Sequence, residues 1–321
     1  MKSTAKSFIS LIIVAVIALA AFLYYKEGML PVDKNNPRQE MFVIAKGEDL
    51  NAIMQKLEKE HLIRNKVVFF LIVKQMGIEK QIQAGTFRLS TAMTPDQIAK
   101  KLTQGSEDVW VTIIEGLRKE EIADIVTSEL GIPEADFLQG AKEGYLFPDT
   151  YLIPRTATAE TVHTILTNNF DTKYTAEIAA KAQRLGLSKA QVIVLASIVE
   201  KEGLGNDRGA VASVLLRRFK EDYPLQADAT VQYALGYQPD IKKWWKPELS
   251  LDDLEIDSPY NTYKNPGLPP EPISNPGMSS IEAVVNADPN TPYFFYLHSP
   301  DGKVHPARDN DEHEANKKKY L

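Results

Sequence analysis

An uncharged apolar run near the N-terminus places the strongest constraint on how this chain folds. Residues 8–25, FISLIIVAVIALAAFLYY, carry no charge and are long enough to cross a hydrocarbon core of about 30 Å as a helix. Lys2 and Lys6 precede the run and aromatic residues end it, which is typical of an anchor with a cytoplasmic N-terminus. The alternative is a cleaved signal peptide, because the Ala-Leu-Ala at 18–20 resembles a processing site, but the run continues beyond it. We therefore favour a single-pass protein of the inner (cytoplasmic) membrane, with residues 1–26 as cytoplasmic tip and transmembrane helix and the globular part on the periplasmic or extracytoplasmic side.

The composition is that of a globular protein and excludes several functional classes. The chain has 321 residues, 44% hydrophobic and 25% charged, which is enough for two domains that each have a core. Its net charge of −6, without a dense basic block, argues against nucleic acid as a partner. The absence of cysteine excludes disulfide scaffolds and cysteine-bound zinc. Neither GxxxxGK[ST] nor GxGxxG occurs, so no cofactor is expected.

After the apolar run, the pattern predicts a linker followed by two domains of α+β type. Residues 27–40 are polar, contain two prolines and form the expected linker. Residues 41–108 show strand–helix units, with helix starts expected at Asp49 and at Thr94. These units resemble LysM modules, which are small folds that hold glycan chains. Glycan binding and a purely structural role both remain open for this LysM-like subdomain. Residues 109–321 are expected to form a larger mixed α+β domain.

A second apolar run, VIVLASIVEKEG at residues 192–203, ends in two glutamates just before a glycine. Ser188 is a suitable N-cap and Gly203 a suitable stop, so a helix ending at Glu202 is predicted. Glu202 continues the stripe of bulky apolar residues at positions i, i+3, i+4 and i+7, whereas Glu200 lies on a smaller and more polar face. Two residues along a helix correspond to a rotation of about 200°, so the two glutamates cannot serve one site together.

Glu202 has the properties expected of a general acid. It lies in the last helical turn, where the helix dipole is negative, and its neighbours on the helix are apolar. Both features disfavour the ionised carboxylate and should raise the pKa. A carboxylic acid that is still protonated near neutral pH can protonate a glycosidic oxygen. The competing interpretation is a solvated surface glutamate beside Lys201.

Five short segments occur in the order and spacing of a known family. They are EGYLFPDTY (143–151), ASIVEKE (196–202), LQADATVQYALG (225–236), SPYNTY (258–263) and GLPPEPISNPG (267–277). With these segments the chain resembles the YceG-like family of endolytic murein transglycosylases over nearly its whole length. The resemblance makes residues 109–321 the YceG-like catalytic domain.

The family resemblance implies a membrane-anchored enzyme that cuts nascent peptidoglycan glycan strands between MurNAc and GlcNAc without hydrolysis. In this family a single glutamate protonates the leaving oxygen. It then removes the proton of the MurNAc C6 hydroxyl, which attacks C1 and closes a 1,6-anhydro ring. The family's catalytic glutamate matches Glu202, the residue that the helix pattern selects. The implied partners are the glycan strands, the membrane and the penicillin-binding proteins of the wall synthesis machinery.

Six other positions in the matching segments are candidates for contacts with the substrate: Gln226, Asp228, Tyr260, Asn261, Tyr263 and Glu143. Gln226 and Asp228 could hydrogen-bond sugar hydroxyls or hold the catalytic glutamate in place. The SPYNTY segment offers amide and aromatic groups suited to sugar binding and stacking, and Glu143 could line the cleft. A structural role is the alternative for each. The chain also departs from the family, for example at Glu271, where a glycine is usual.

Two other functions compete with this interpretation. A metal-dependent peptidase is suggested by His298, His305 and His313 near the C-terminus, but no HExxH motif occurs and no metal is expected. A non-enzymatic scaffold that binds the cell wall would use only the anchor and the LysM-like subdomain. A test for lytic products separates this alternative from the enzyme.

Overall fold

The computed structural model describes residues 2–105, 107–203 and 205–321. Met1, in the predicted cytoplasmic tip, and residues 106 and 204, in the two predicted domains, lie outside this description. The chain is mixed α+β, as the sequence predicts. Its described strands pair in three small sheets, β1 with β2, β3 with β4, and β5 with β6. Contacts divide the chain into two compact units, residues up to 110 with 151–156, and residues 111–150 with 157–321.

The first unit combines short helices with strands, and the second unit is mainly helical. The helices are α1 (Lys2–Gly28), α2 (Leu50–Lys59), α3 (Lys66–Met76), α4 (Pro95–Lys101), α5 (Lys119–Leu130), α6 (Glu134–Leu138), α7 (Ala159–Lys173), α8 (Ala176–Arg184), α9 (Lys189–Glu202), α10 (Arg208–Lys220), α11 (Asp228–Leu235), α12 (Met278–Val285) and α13 (Asn310–Tyr320). The strands are β1 (Gln39–Ile44), β2 (Gly85–Ser90), β3 (Asp108–Thr112), β4 (Thr150–Pro154), β5 (Phe295–His298) and β6 (Val304–Ala307).

The N-terminal helix α1 contains the apolar run of the sequence. Its segment Leu11–Gly28 is long and apolar enough to cross a membrane, judged by length and composition. The side chains of this segment are almost entirely exposed, so they do not form the core of the globular chain. An exposed apolar helix of this length is a candidate membrane anchor.

The first unit is built on an antiparallel strand pair covered by short helices. Strands β1 and β2 place Phe42 directly opposite Phe87, and both rings are completely buried. Helix α2 begins where the sequence predicts, since the Asp49 side chain accepts a hydrogen bond from Ala52 N at 3.0 Å. Helix α4 likewise begins after Thr94, whose backbone N–H donates to Gln97 Oε1 at 3.0 Å. The local capping rules therefore locate both helices correctly.

Helix α9 forms the centre of the second unit. Ser188 caps it as predicted, because Gln191 N donates to Ser188 Oγ at 3.2 Å and Ser188 N donates to Gln191 Oε1 at 2.9 Å. Every side chain from 192 to 199 is buried, by α8, α10, α11 and α12 among others. The helix is thus buried on all sides, and the more polar face that the sequence assigned to Glu200 is interior as well.

Gly203 ends α9, but not through the left-handed turn that usually requires glycine there. Its φ is −81°, an ordinary extended conformation. A Cβ at this position would lie 2.7 Å from Arg208 Cγ and 2.9 Å from Val199 O. The absence of a side chain therefore allows α10 to approach the end of α9 closely, just beyond Glu202.

Candidate active site

The end of α9 opens into a pocket of about 460 Å³ in the second unit. Glu202 lines it together with three of the other predicted residues, Gln226, Asp228 and Tyr263. The remaining wall comes from α10, β5 and α13: Arg218, Phe295, Tyr296, Leu297, Asn310, His313 and Lys317. The structure thus brings four of the seven predicted site residues to one cavity.

Both carboxyl oxygens of Glu202 accept hydrogen bonds. Ala229 N, in the first turn of α11, donates to Oε1 at 3.2 Å. The hydroxyl of Tyr296, in β5, donates to Oε2 at 3.1 Å. The side chain is otherwise half-buried at the pocket wall and does not extend freely into solvent. Its position is therefore fixed by two elements other than its own helix.

Opposing influences set the charge state of Glu202. Burial raises the pKa of its carboxyl group, and the negative charge of nearby Asp228 adds to this rise. The hydrogen bonds from Ala229 and Tyr296, together with His298 nearby, favour the carboxylate, and the net result is a raised pKa. Such a group can hold a proton above the usual pH range of glutamate and still has donors ready when the proton leaves.

The segment at Gln226 and Asp228 is held against the SPYNTY segment by a buried hydroxyl network. Ala227 N donates to Thr262 Oγ1 at 3.1 Å, and the hydroxyls of Thr230 and Thr262 are 2.8 Å apart. Tyr263 reaches across from this segment and donates its hydroxyl to Asp228 Oδ1 at 2.5 Å. This network places both segments at the pocket.

Gln226 enters the pocket from an uncommon backbone conformation. Its φ is +48°, in the left-handed region that residues other than glycine seldom adopt. Its backbone N–H donates to Thr262 O at 3.2 Å, which helps to hold this conformation. Strain of this kind persists where the surrounding structure fixes it, and it is frequent at functional sites.

The structure places Tyr260 and Asn261 outside this pocket. Asn261 is fully buried, donates to Leu254 O and Ile256 O at 2.8 and 2.9 Å, and so clamps its own loop. The ring of Tyr260 packs on Tyr233 at 4.8 Å, and its hydroxyl lies 3.4 Å from Glu271 Oε2. Both contacts correspond to the structural alternative.

Glu143 is also placed outside this pocket, in a buried polar network. It is 4% exposed and accepts hydrogen bonds from Lys119 N at 3.1 Å, Asn275 Nδ2 at 2.7 Å and Tyr233 OH at 3.4 Å. Burial is the main cause that raises the pKa of Glu143 to about 7, with Lys119 N and Arg118 acting against it. Glu143 thus ties together separate parts of the second unit.

The raised pKa of Glu143 predicts a pH-dependent stability. Between its ordinary value of 4.5 and about 7, the folded chain holds a proton here that the unfolded chain releases. Stability from this group is therefore present at low pH and lost as pH rises through 7. In Glu143→Gln, which can keep the contacts to Asn275 and Tyr233, this fall in the free energy of unfolding with rising pH, on the order of 2–3 kcal/mol, should be absent. Urea unfolding of both proteins at pH 4.5 and 8 measures this difference, and parallel pH dependences would contradict it.

Glu200 occupies a different environment from Glu202. Its side chain is 5% exposed; Oε1 accepts from Arg208 Nη2 at 3.1 Å and Oε2 from Gly277 N at 2.9 Å, just before α12. Both oxygens are thus committed to contacts that join α9, α10 and α12. Glu200 is built into the fold and away from the pocket.

Sequence reasoning missed the contributions of β5, α10 and α13 to the pocket. Tyr296 and His298 alternate along β5 and so share one face of the strand, a spacing that could have indicated this polar side. His298 Nε2 is 2.6 Å from Asp207 Oδ2. Arg218 comes from the polar end of an otherwise apolar segment of α10.

The C-terminal histidines lie in separate environments. His298 pairs with Asp207, His305 stacks on Tyr320 with ring centres 3.6 Å apart, and His313 lies at the pocket. Within the described ranges, no group of three or more His, Cys, Asp or Glu side chains could hold a metal ion.

Comparison with known proteins decides the family. The profile of the YceG-like family matches residues 42–319, which is most of the chain. The chain belongs to the YceG-like family. A relative of this YceG-like chain in Bacillus subtilis strain 168, named "Endolytic murein transglycosylase", is 33% identical over 94% of the chain and 90% of the relative.

Two further comparisons extend the relationship. A protein of the same name from Streptococcus pneumoniae serotype 2 strain D39 is 28% identical; the match covers 92% of the YceG-like chain but 61% of that relative. A crystal structure of a YceG-like protein from Listeria monocytogenes superposes with a TM-score of 0.61 at 32% identity. It covers 86% of this chain and 98% of its own.

Proposed function

We propose that this YceG-like protein is a membrane-anchored endolytic transglycosylase of peptidoglycan, with Glu202 as its catalytic residue. The predicted enzyme class, lytic transglycosylase, agrees with the name of the relatives at 28–33% identity. The observation that carries the assignment of the site is the pocket at the end of α9. There an acid with a raised pKa lies beside Gln226, Asp228 and Tyr263.

In the proposed reaction, protonated Glu202 donates its proton to the oxygen that joins MurNAc C1 to GlcNAc. The C1–O bond breaks and GlcNAc leaves with a new hydroxyl group. The C6 hydroxyl of MurNAc bonds to C1, and the Glu202 carboxylate accepts its proton. The hydrogen bonds from Ala229 N and Tyr296 OH stabilise the Glu202 carboxylate between the two proton transfers. No water is consumed, so one carboxylate suffices where hydrolysing glycosidases use two.

In this proposal the other six predicted residues divide into those that contact the substrate and those that support the structure. Asp228 and Tyr263 are hydrogen-bonded to one another at the pocket. In this proposal both side chains contact sugar hydroxyls, as does Gln226. Tyr260, Asn261 and Glu143 support the surrounding structure.

We also propose that α1 anchors the protein in the cytoplasmic membrane with the globular units outside the cytoplasm. The exposed apolar segment Leu11–Gly28 supports the anchor, and Lys2 and Lys6 before it support the orientation. The order strand, helix, helix, strand from β1 to β2 supports a LysM-like subdomain. The domain limits 41–108 and 109–321, and the penicillin-binding proteins as partners, remain predictions.

Product analysis tests the proposed reaction. The full-length protein in detergent micelles is incubated with purified glycan strands in ¹⁸O-labelled water, and the new ends are examined by mass spectrometry. Ring closure predicts 1,6-anhydro-MurNAc ends without ¹⁸O. Reducing MurNAc ends that carry ¹⁸O would identify a hydrolase and refute ring closure, whereas strands left uncut would favour the scaffold.

Tyr296→Phe tests the environment of the proposed acid. Removing the hydroxyl removes one bond that favours the carboxylate, so the pKa of Glu202 should rise further. The falling limb of the kcat–pH profile should move to higher pH, and kcat should drop several-fold because the carboxyl is less firmly held. Tyr237→Phe, at an exposed tyrosine, is the control. A falling limb that stays at the same pH in Tyr296→Phe would contradict an effect of the Tyr296 hydroxyl on the pKa of Glu202.

A further inference from the structure

Arg218 is a buried cation in the wall of the proposed active site. It lies on α10, is 6% exposed and lines the same pocket as Glu202. Its Nε donates to Phe294 O at 2.5 Å and its Nη1 donates to Leu225 O at 2.6 Å. The rings of Tyr223 and Phe295 lie 5.1 and 5.0 Å from its Cζ. Backbone carbonyls and rings thus hold the guanidinium in one orientation.

One nitrogen of this guanidinium is left for another molecule. Among the residues that the structure describes, the hydrogen bonds of Arg218 leave from Nε and Nη1 and none leaves from Nη2, and no carboxylate forms an ion pair with the group. Arginine is seldom buried this deeply without a negative partner. A fixed guanidinium with an unused donor is therefore a prepared site for an oxygen acceptor, best of all a carboxylate.

The charge of Arg218 acts on the pocket. It opposes the rise that burial causes in the pKa of Tyr296 and Tyr263, and it helps to lower the pKa of His313. These three side chains belong to β5, the SPYNTY segment and α13, which form different walls of the pocket. The guanidinium thus acts on groups in three walls of the pocket that Arg218 itself lines.

We propose that Nη2 of Arg218 binds a carboxyl oxygen of the lactyl group of MurNAc and thereby selects which glycosidic bond Glu202 cleaves. This inference rests on the proposed function. The two sugars of the strand alternate, and both carry hydroxyl and acetamido groups. The 3-O-lactyl group is present on MurNAc alone, as a free carboxylate or as the amide that bears the stem peptide, and either form offers an oxygen acceptor. A contact to it places MurNAc, rather than GlcNAc, on the side of the bond where the ring closes.

Arg218 suits this role better than the other cations at the pocket. Lys317 is 45% exposed and already pairs with Glu314 at 2.8 Å. Burial lowers the pKa of His313, which therefore stays neutral more readily. Arg218 alone among these three combines burial, fixed orientation and an unused donor.

Binding to defined saccharides tests the proposal. The full-length protein carrying Glu202→Gln, in detergent micelles, is titrated with three probes of equal length: glycan strands without peptides, strands with stem peptides, and chitooligosaccharides, which lack the lactyl group. We expect peptide-free strands to bind about tenfold more tightly than chitooligosaccharides, because a charge-assisted hydrogen bond is present only with the former. Strands with peptides should bind with intermediate affinity, since their lactyl carbonyl is neutral.

Arg218→Gln should reduce the tenfold ratio between the affinities for peptide-free strands and for chitooligosaccharides to about one. Arg217→Gln is the matched control, because Arg217 also donates to a carbonyl in this region, Thr291 O at 2.8 Å, but pairs with Glu221 and does not line the pocket. The control should keep the ratio. A ratio of two affinities measured on one preparation is independent of how much of that variant is folded.

Three results would overturn the proposal. A ratio near one before Arg218 is changed, or a ratio that survives Arg218→Gln, would remove the lactyl contact. Tighter binding of strands with peptides than without, lost in Arg218→Gln, would assign the arginine to a stem-peptide carboxylate instead. Binding needs no turnover, so the two proposals can fail separately. A tenfold affinity ratio that Arg218→Gln abolishes, without anhydro ends in the product analysis, would refute the proposed function alone. Anhydro ends together with an affinity ratio of one would refute the lactyl contact alone.

Discussion

Glu202→Gln is expected to lower kcat about 10³-fold or more while leaving the fold intact. Glutamine has nearly the same shape but carries no proton that it can donate, so it fails as acid and as base. It can still accept the bond from Ala229 N through its oxygen, and its amide can donate to the Tyr296 hydroxyl. The measurement is the rate of anhydro-end formation, with the midpoint of thermal unfolding recorded on the same samples.

The comparison with a second glutamate makes this test specific. A loss of activity in Glu202→Gln that is matched by an equal loss in an equally conservative Glu200→Gln would indicate general disturbance of the end of α9. Activity of Glu202→Gln within tenfold of the unsubstituted protein would remove Glu202 from the mechanism.

Glu200→Ala is expected to lower the free energy of unfolding by about 3 kcal/mol. The substitution leaves Arg208 Nη2 and the Gly277 N–H without their acceptor, while Arg208 Nη1 keeps its bond to Gly205 O. Breaking a buried ion pair costs about 3–5 kcal/mol. Arg208 is 22% exposed, so water can partly replace the lost partner and the lower end of this range applies. Urea unfolding followed by circular dichroism in the same detergent measures the change.

The activity of the Glu200→Ala protein completes this prediction. At a temperature where the variant is folded, kcat per folded molecule should stay within about threefold, because Glu200 does not line the pocket. Unchanged stability with abolished activity would reverse the roles that we assign to the two glutamates.

Local sequence rules located the elements that carry the site. Ser188 and the glycine at 203 defined α9, and the spacing of apolar residues separated Glu202 from Glu200 by face. Asp49 and Thr94 likewise located helices in the first unit. These signals depend on neighbours within one or two turns, which is the range over which sequence patterns are informative.

The rest of the site depends on contacts between distant segments, which no local pattern contains. Tyr296 contacts Glu202 across 94 positions of sequence, and Arg218 reaches the pocket only because α10 packs on α9. The smaller and more polar face of α9 that carries Glu200 is buried as well, which the helix pattern alone does not indicate.

Residue type was equally ambiguous for the sugar-binding candidates. The amide of Asn261 suits a hydroxyl as well as it suits Leu254 O and Ile256 O, which it contacts in the structure. Glu143 is bound by Lys119 N and by Asn275, a residue 132 positions away. Only the tertiary structure separates a side chain that clamps a loop from one that faces a cavity.

The pH titration of Glu202 itself tests the central claim most directly. The ¹³C carboxyl resonances of selectively labelled glutamates are followed by NMR, and the Glu202 signal is assigned as the one absent from Glu202→Gln. We expect this group to titrate above the ordinary range of glutamate, at the same pH as the falling limb of kcat. Titration at the ordinary value, with the limb of kcat at a different pH, would contradict a single protonated glutamate as the source of the catalytic proton.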